Sequence, residues 1–134
     1  MGEGRLAHID LTVSDPGISR AFYHRVLEHL GFVGGAVGED GVVGWTHPRS
    51  GLNIALQRAR AEMAGLPHDR YAPGLHHIAF EAASREEVDA LHELLLDMGA
   101  TVLDPPGEYY SGGYYAVFFA DPDGLKLECV HLPR

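Results

Sequence analysis

The chain has 134 residues, 10 basic and 19 acidic side chains, and a formal net charge of -9 at pH 7. The length suits one domain with a real core, and the acidic balance argues against nucleic acid or an anionic membrane surface as partner. No apolar run is long enough to span a bilayer, no apolar leader opens the chain, and a single cysteine, Cys129, excludes an intrachain disulfide, so a cytoplasmic home is expected.

Leu6 to Val13 alternates, with Ala7, Ile9, Leu11 and Val13 on one face and Leu6, His8, Asp10 and Thr12 on the other. That is the pattern of a half-buried strand. Ser14-Asp15-Pro16 signals a helix start. Ile18, Phe22, Val26 and Leu30 follow at helical spacing, and Gly31 stops the helix. Asp40-Gly41 reads as a hairpin turn between extended runs, and Val42–Thr46 and Leu52–Gln57 as strands. Residues 58–73, punctuated by Pro67 and Pro73, form a linker with at most a helical turn.

The pattern then repeats. Leu75 to Ala82 is a strand, and Ser84-Arg85-Glu86-Glu87 is a capping box ahead of a helix whose stripe is Val88, Leu91, Leu95 and Met98. Ala100 to Leu103 is a strand ended by Asp104-Pro105-Pro106-Gly107. Tyr114 to Ala120 is another, and Asp121-Pro122-Asp123-Gly124 turns into a last strand, Leu125 to His131. The order strand, helix, three strands thus occurs twice, in modules of about residues 5–57 and 74–132 that form one domain spanning 1–134.

The repeat places one histidine at the same point of each copy: His8 in Ala7-His8-Ile9-Asp10-Leu11, and His77 in His76-His77-Ile78-Ala79-Phe80. Strand parity turns Leu125, Leu127 and Cys129 toward the helices and Lys126, Glu128 and Val130 away from them. His8 and His77 also avoid the apolar face. Two imidazoles and one carboxylate on the non-helix face form a facial triad suited to a divalent metal ion: Fe(II), Mn, Co, Ni or Zn. A buried Glu128 needs such a cation, or failing that an Arg such as Arg5. His76 has the wrong parity and is read as structural. His24, His29, His47, His68, His92 and His131 are expected to face solvent, and Cys129 to be a small core residue.

The stretches Ala21-Phe22-Tyr23 with Leu30-Gly31-Phe32, Leu75-His76-His77-Ile78-Ala79-Phe80, and Val117-Phe118-Phe119-Ala120-Asp121-Pro122-Asp123-Gly124-Leu125-Lys126-Leu127-Glu128 resemble the vicinal oxygen chelate superfamily. That superfamily includes glyoxalase I, bleomycin-resistance proteins, fosfomycin-resistance enzymes and extradiol dioxygenases. The resemblance covers almost the whole chain. It implies an α+β fold of two βαβββ modules pairing into a curved mixed β-sheet that encloses a cavity, with the helices outside. It also implies metal ligation at His8, His77 and Glu128, and a homodimer.

Three departures from the family pattern shape the functional expectation. Ala55 stands at the first module's counterpart of Glu128, which sets the chain apart from four-ligand glyoxalase I. Phe118 stands where the three-ligand enzymes carry a tyrosine, and Gln57 near the extradiol acid/base histidine. The expected function is therefore a metal-dependent, glyoxalase-like lyase or isomerase acting on a small substrate that chelates the metal through adjacent oxygens. The alternatives are a dioxygenase of the same superfamily, or a drug-sequestering protein of the bleomycin-resistance type. Glu128, with Glu108 and Tyr109 from the segment before the seventh strand, is the expected catalytic set. Gln57, Asn53, Trp45, Tyr114 and Phe118 are the expected substrate-binding residues.

Overall fold

The computed structural model describes residues 2–134. Two compact units divide after Leu66. Each is a βαβββ module with its own four-stranded mixed sheet and one helix. Among the described residues no helix is long and apolar enough to cross a membrane.

The first unit contains β1 (His8–Val13), α1 (Pro16–His29), β2 (Val33–Val37), β3 (Val43–Thr46) and β4 (Asn53–Arg58), in the sheet order β1-β4-β3-β2. Asp15 caps α1, accepting from Gly17 N at 3.0 Å and Ile18 N at 3.1 Å, with Pro16 in the first turn. The buried stripe of α1 is Ser19, Phe22, Tyr23, Val26 and Leu27. Ile18, expected in that stripe, is 59% exposed. Ser19, beside it in the first turn, is 1% exposed and takes its place in the stripe, so local spacing gave the wrong member. Glycine conformation matters at Gly35, which has φ +95°. A Cβ there would lie 2.6 Å from His24 Nδ1 and 2.7 Å from Trp45 Nε1.

The second unit contains β5 (His77–Glu81), α2 (Arg85–Asp97), β6 (Thr101–Glu108), β7 (Tyr115–Ala120) and β8 (Lys126–His131), in the order β5-β8-β7-β6. Ser84 caps α2 by accepting from Glu87 N at 3.2 Å. The Glu87 carboxylate reaches back over the start of the helix and accepts from Ala83 N at 2.6 Å. Val88, Leu91 and Leu95 are fully buried against the sheet.

The expectation that a strand ends before Asp104 is wrong: β6 continues through Pro105 and Pro106 to Glu108. The reason is its place at the edge of the sheet. A proline without an N–H is tolerated where no neighbour needs the donor. Register shifts between Val102 and Asp104 and between Asp104 and Gly107 absorb the irregular backbone.

The two sheets share one permutation, and the parallel ladders share one register. His8 pairs with Asn53 and Asp10 with Ala55; His77 pairs with Lys126 and Ala79 with Glu128. His8 and His77 are therefore structural equivalents, as are Ala55 and Glu128. Before β8, Asp121 accepts from Asp123 N at 2.8 Å and Leu125 N at 2.9 Å, which locks the turn that sets this register. Before β4 a histidine takes that part: His47 Nδ1 accepts from Arg49 N at 3.2 Å and Ser50 N at 3.4 Å.

Several histidines expected to face solvent are engaged instead. His24 Nδ1 receives the Trp45 indole N–H at 3.1 Å. His131 Nδ1 lies 3.3 Å from Ala82 O, and His47 holds its turn. In each case a neighbour distant in sequence or a turn backbone supplies the partner, which periodicity does not reveal.

Candidate metal and substrate face

The non-helix face of the second sheet is built from alternate residues of three strands. Tyr115 donates to Asp89 of α2, which fixes the helix side of β7. Ala116 and Phe118, with the flanking Tyr114, then project to the other side. Their register partners Val130 and Glu128 on β8, and Ala79 beside Glu128 on β5, share that side.

Glu128 is the centre of this face. Its side chain is 2% exposed, in a strand whose neighbours Leu127 and Cys129 are fully buried. Oε1 lies 3.0 Å from His77 Nε2, and Oε2 accepts the Tyr114 hydroxyl proton. The other ring nitrogen of His77, Nδ1, lies 2.8 Å from His76 Nδ1. Burial, followed by the hydrogen bond to Glu128, raises the Tyr114 phenol well above its ordinary pKa. The proton therefore stays on Tyr114, and Glu128 keeps a fixed donor at one oxygen. Arg5, the other partner considered for Glu128, forms its ion pair with Glu3 at 3.9 Å.

Around this carboxylate lies an apolar cluster of Ala116, Phe118 and Val130, packed by Tyr109, Tyr114 and Leu132. Tyr109 stands edge-on to Phe118, with ring centroids 5.1 Å apart, and its hydroxyl donates to Pro105 O. Burial and the nearby Asp104 raise its pKa. Glu108 is turned elsewhere: it shares the helix side with its register partner Tyr115 and pairs with Arg85 Nη2 at 2.6 Å.

The corresponding face of the first sheet carries His8, Asp10 and Thr12 on β1 and Asn53, Ala55 and Gln57 on β4. Asn53 Nδ2 donates to Thr46 Oγ1 at 3.0 Å, and Gln57 Nε2 to Asp10 Oδ2 at 3.2 Å. Trp45 lies on the opposite, helix side, 1% exposed and bonded to His24 of α1. Trp45, expected among the substrate-binding residues, is instead part of the core between sheet and helix. The carboxylate missing at Ala55 has a counterpart one strand away, at its register partner Asp10. In the second module the pair is reversed, with Ala79 opposite Glu128.

Among the described residues no group of three or more His, Cys, Asp or Glu side chains forms a metal-binding cluster. The second module nevertheless offers a matched donor pair. Two donors each about 2.1 Å from a metal ion and about 90° apart lie about 3.0 Å from each other. The His77 Nε2 to Glu128 Oε1 separation of 3.0 Å fits that edge. A buried carboxylate with only one neutral hydroxyl and one imidazole beside it is also a natural cation site.

Residues 5–129 match the model of the Glyoxalase/Bleomycin resistance protein/Dioxygenase superfamily, and the chain belongs to that superfamily. It is 36% identical over 125 residues to the uncharacterised protein YqjT of Bacillus subtilis (strain 168), covering 92% of this chain and 95% of that one. Among solved structures it is similar to a putative glyoxalase from Bacillus halodurans, at TM-score 0.81 and 28% identity, covering 96% of each chain. A likeness in fold extends to a variant of the fosfomycin resistance protein FosX from Listeria monocytogenes, solved with Mn(II) and 1S,2S-dihydroxypropylphosphonic acid. There the TM-score is 0.74 and the identity 22%, covering 99% of this chain and 95% of that chain.

Proposed function

We propose that this protein is a divalent-metal-dependent enzyme of the glyoxalase-like lyase or isomerase type. Its substrate is a small molecule that chelates the metal through adjacent oxygens. The observation that carries this reading is the convergence of His77 Nε2 and the buried Glu128 Oε1 at 3.0 Å. His8, the register equivalent of His77, is the third ligand. The donor set of two imidazoles and a carboxylate accepts Fe, Mn, Co, Ni or Zn. When bound, the metal supplies a Lewis acid that polarises a substrate oxygen and lowers the pKa of an adjacent C–H.

The chain's own residues do the rest. Tyr114 holds Oε2 through its hydroxyl and so directs Oε1 outward. Phe118 and Tyr109 form an aromatic wall that excludes water from the carboxylate. Tyr109, on the Glu128 side of the sheet, is the better placed of the two expected proton-handling groups, since Glu108 is engaged with Arg85. Asn53 and Gln57 supply polar contacts from the first module. The working unit is a homodimer, which sedimentation at micromolar concentration tests.

Metal analysis of the purified protein, followed by titration with Mn(II), Ni(II), Co(II), Zn(II) and Fe(II), tests the centre. His8→Ala, His77→Ala and Glu128→Ala are each expected to weaken binding by a hundredfold or more, on the order of 3 kcal/mol. Retention of parental affinity by Glu128→Ala refutes the assignment. The reaction class is tested by turnover of 2-oxo aldehydes and 2-hydroxy ketones with the metal that binds. Oxygen uptake with catechols at ordinary enzymatic rates by the Fe(II)-loaded protein would place the enzyme among the dioxygenases instead.

A further inference from the structure

Lys126 projects from the same side of β8 as Glu128 and is the register partner of His77. It is half-buried, and its ammonium lies 4.7 Å from the centroid of the Phe118 ring. Phe118 is in turn the register partner of Glu128 on β7. Among the described residues Lys126 makes no ion pair. Glu128, the carboxylate two residues along on the same side of β8, faces His77 and Tyr114. The chain has 19 acidic residues against 10 basic ones, so acidic partners are plentiful. A half-buried cation left with only a ring face for company has lost hydration that the cation-π contact replaces in part.

We propose that Lys126 is the anion receptor of the site. The substrate carries a carboxylate-type group on an apolar, flat body, next to the oxygen pair offered to the metal. The negative field of the protein disfavours anions in general, so an acidic substrate needs a local cation, and Lys126 supplies it beside His77 and Glu128. The flat body is inferred from the adjoining Phe118, Tyr109, Val130 and Leu132. This assignment of substrate class rests on the metal reading above.

Catechol and 3,4-dihydroxybenzoate present the same chelating oxygen pair and differ by one carboxylate, so they serve as probes. Calorimetric titration of each into Mn(II)-loaded protein should show the acid binding about tenfold tighter or more, the effect of one charge-assisted hydrogen bond. Lys126→Gln should abolish that preference while leaving catechol affinity within about twofold, and Lys126→Arg should keep it. Thermal melts of both variants verify that the fold is intact. Equal affinity of the two probes for the parent, a preference that survives in Lys126→Gln, or an equal loss for both probes overturns the receptor. If neither probe's binding depends on Mn(II), the metal reading itself falls, an outcome distinct from failure of Lys126 alone.

Discussion

The Tyr114 hydroxyl donates to Glu128 Oε2 while His77 Nε2 lies 3.0 Å from Oε1, so the two oxygens of one buried carboxylate have different neighbours. Tyr114 sits just before β7 and Glu128 in the middle of β8; the register pairs Glu128 with Phe118, and the long Tyr114 side chain reaches the carboxylate from four residues away. The tyrosine missing at position 118 is thus matched by a phenol entering from four residues earlier. Tyr114→Phe should lower divalent-metal affinity by about tenfold to a hundredfold, the usual effect of removing a group that orients a ligand. It should also destabilise the metal-free protein by about 1–3 kcal/mol, since a buried carboxylate oxygen loses its donor. Calorimetry and urea unfolding measure the two effects, and unchanged metal affinity would show that Tyr114 has only a packing role.

Glu128→Gln separates charge from shape. The amide keeps the volume and an acceptor for Tyr114, so unfolding free energy should stay within about 1 kcal/mol of the parent. Metal binding should be lost, because a neutral amide oxygen is a far weaker ligand than a carboxylate. A variant that binds Mn(II) as the parent does would contradict this.

The exchange of carboxylate and alanine between modules is also testable. Ala55 is 8% exposed, with Asp10 as its register partner. Ala55→Glu should cost about 1–3 kcal/mol at neutral pH, because a carboxylate then replaces a buried methyl group beside a second, exposed carboxylate at Asp10. Adding Asp10→Ala reproduces the Ala79 and Glu128 arrangement of the second module and should recover at least about half of that loss. A double-mutant cycle by denaturant unfolding gives the coupling, and additive effects would show that the two positions do not compete.

Cys129 is fully buried, and burial pushes its thiol up to about 12 from an unperturbed 9.0. The folded pKa lies above the unfolded one, so the contribution to stability is complete below about pH 9. It is lost as pH rises from there toward about 12. Cys129→Ala should therefore flatten the decline in unfolding free energy between pH 8 and pH 10.5. In the native parent at pH 8, a thiol reagent should react only at the rate of unfolding. Rapid stoichiometric labelling would contradict the burial.

Gly35→Ala should destabilise the first module by about 2 kcal/mol or more. It combines a strained positive φ with a Cβ driven between His24 Nδ1 and Trp45 Nε1. Trp45 is the only tryptophan, so its fluorescence reports the disturbed hydrogen bond directly. A parental emission spectrum together with parental stability would rule out this packing.

Much of the fold is written locally. The duplicated strand-helix-strand pattern, the Asp15 and Ser84 caps and the Asp121 turn depend on neighbours a few residues apart, so period and spacing reveal them. Parity likewise places His77, Lys126 and Glu128 on one side of their sheet, because side chains alternate along any strand. What tertiary structure alone decided is which alternating residues meet. Proline and glycine in Asp104 to Gly107 read as a strand end, yet β6 runs through them because an edge strand spares the missing donor. Tyr114 reaches Glu128, Glu108 turns to Arg85, Trp45 turns to His24, and Asp10 lies opposite Ala55 because of ladder register and helix packing. Those partners are up to 45 residues apart in the chain, and no local periodicity encodes the register that joins them.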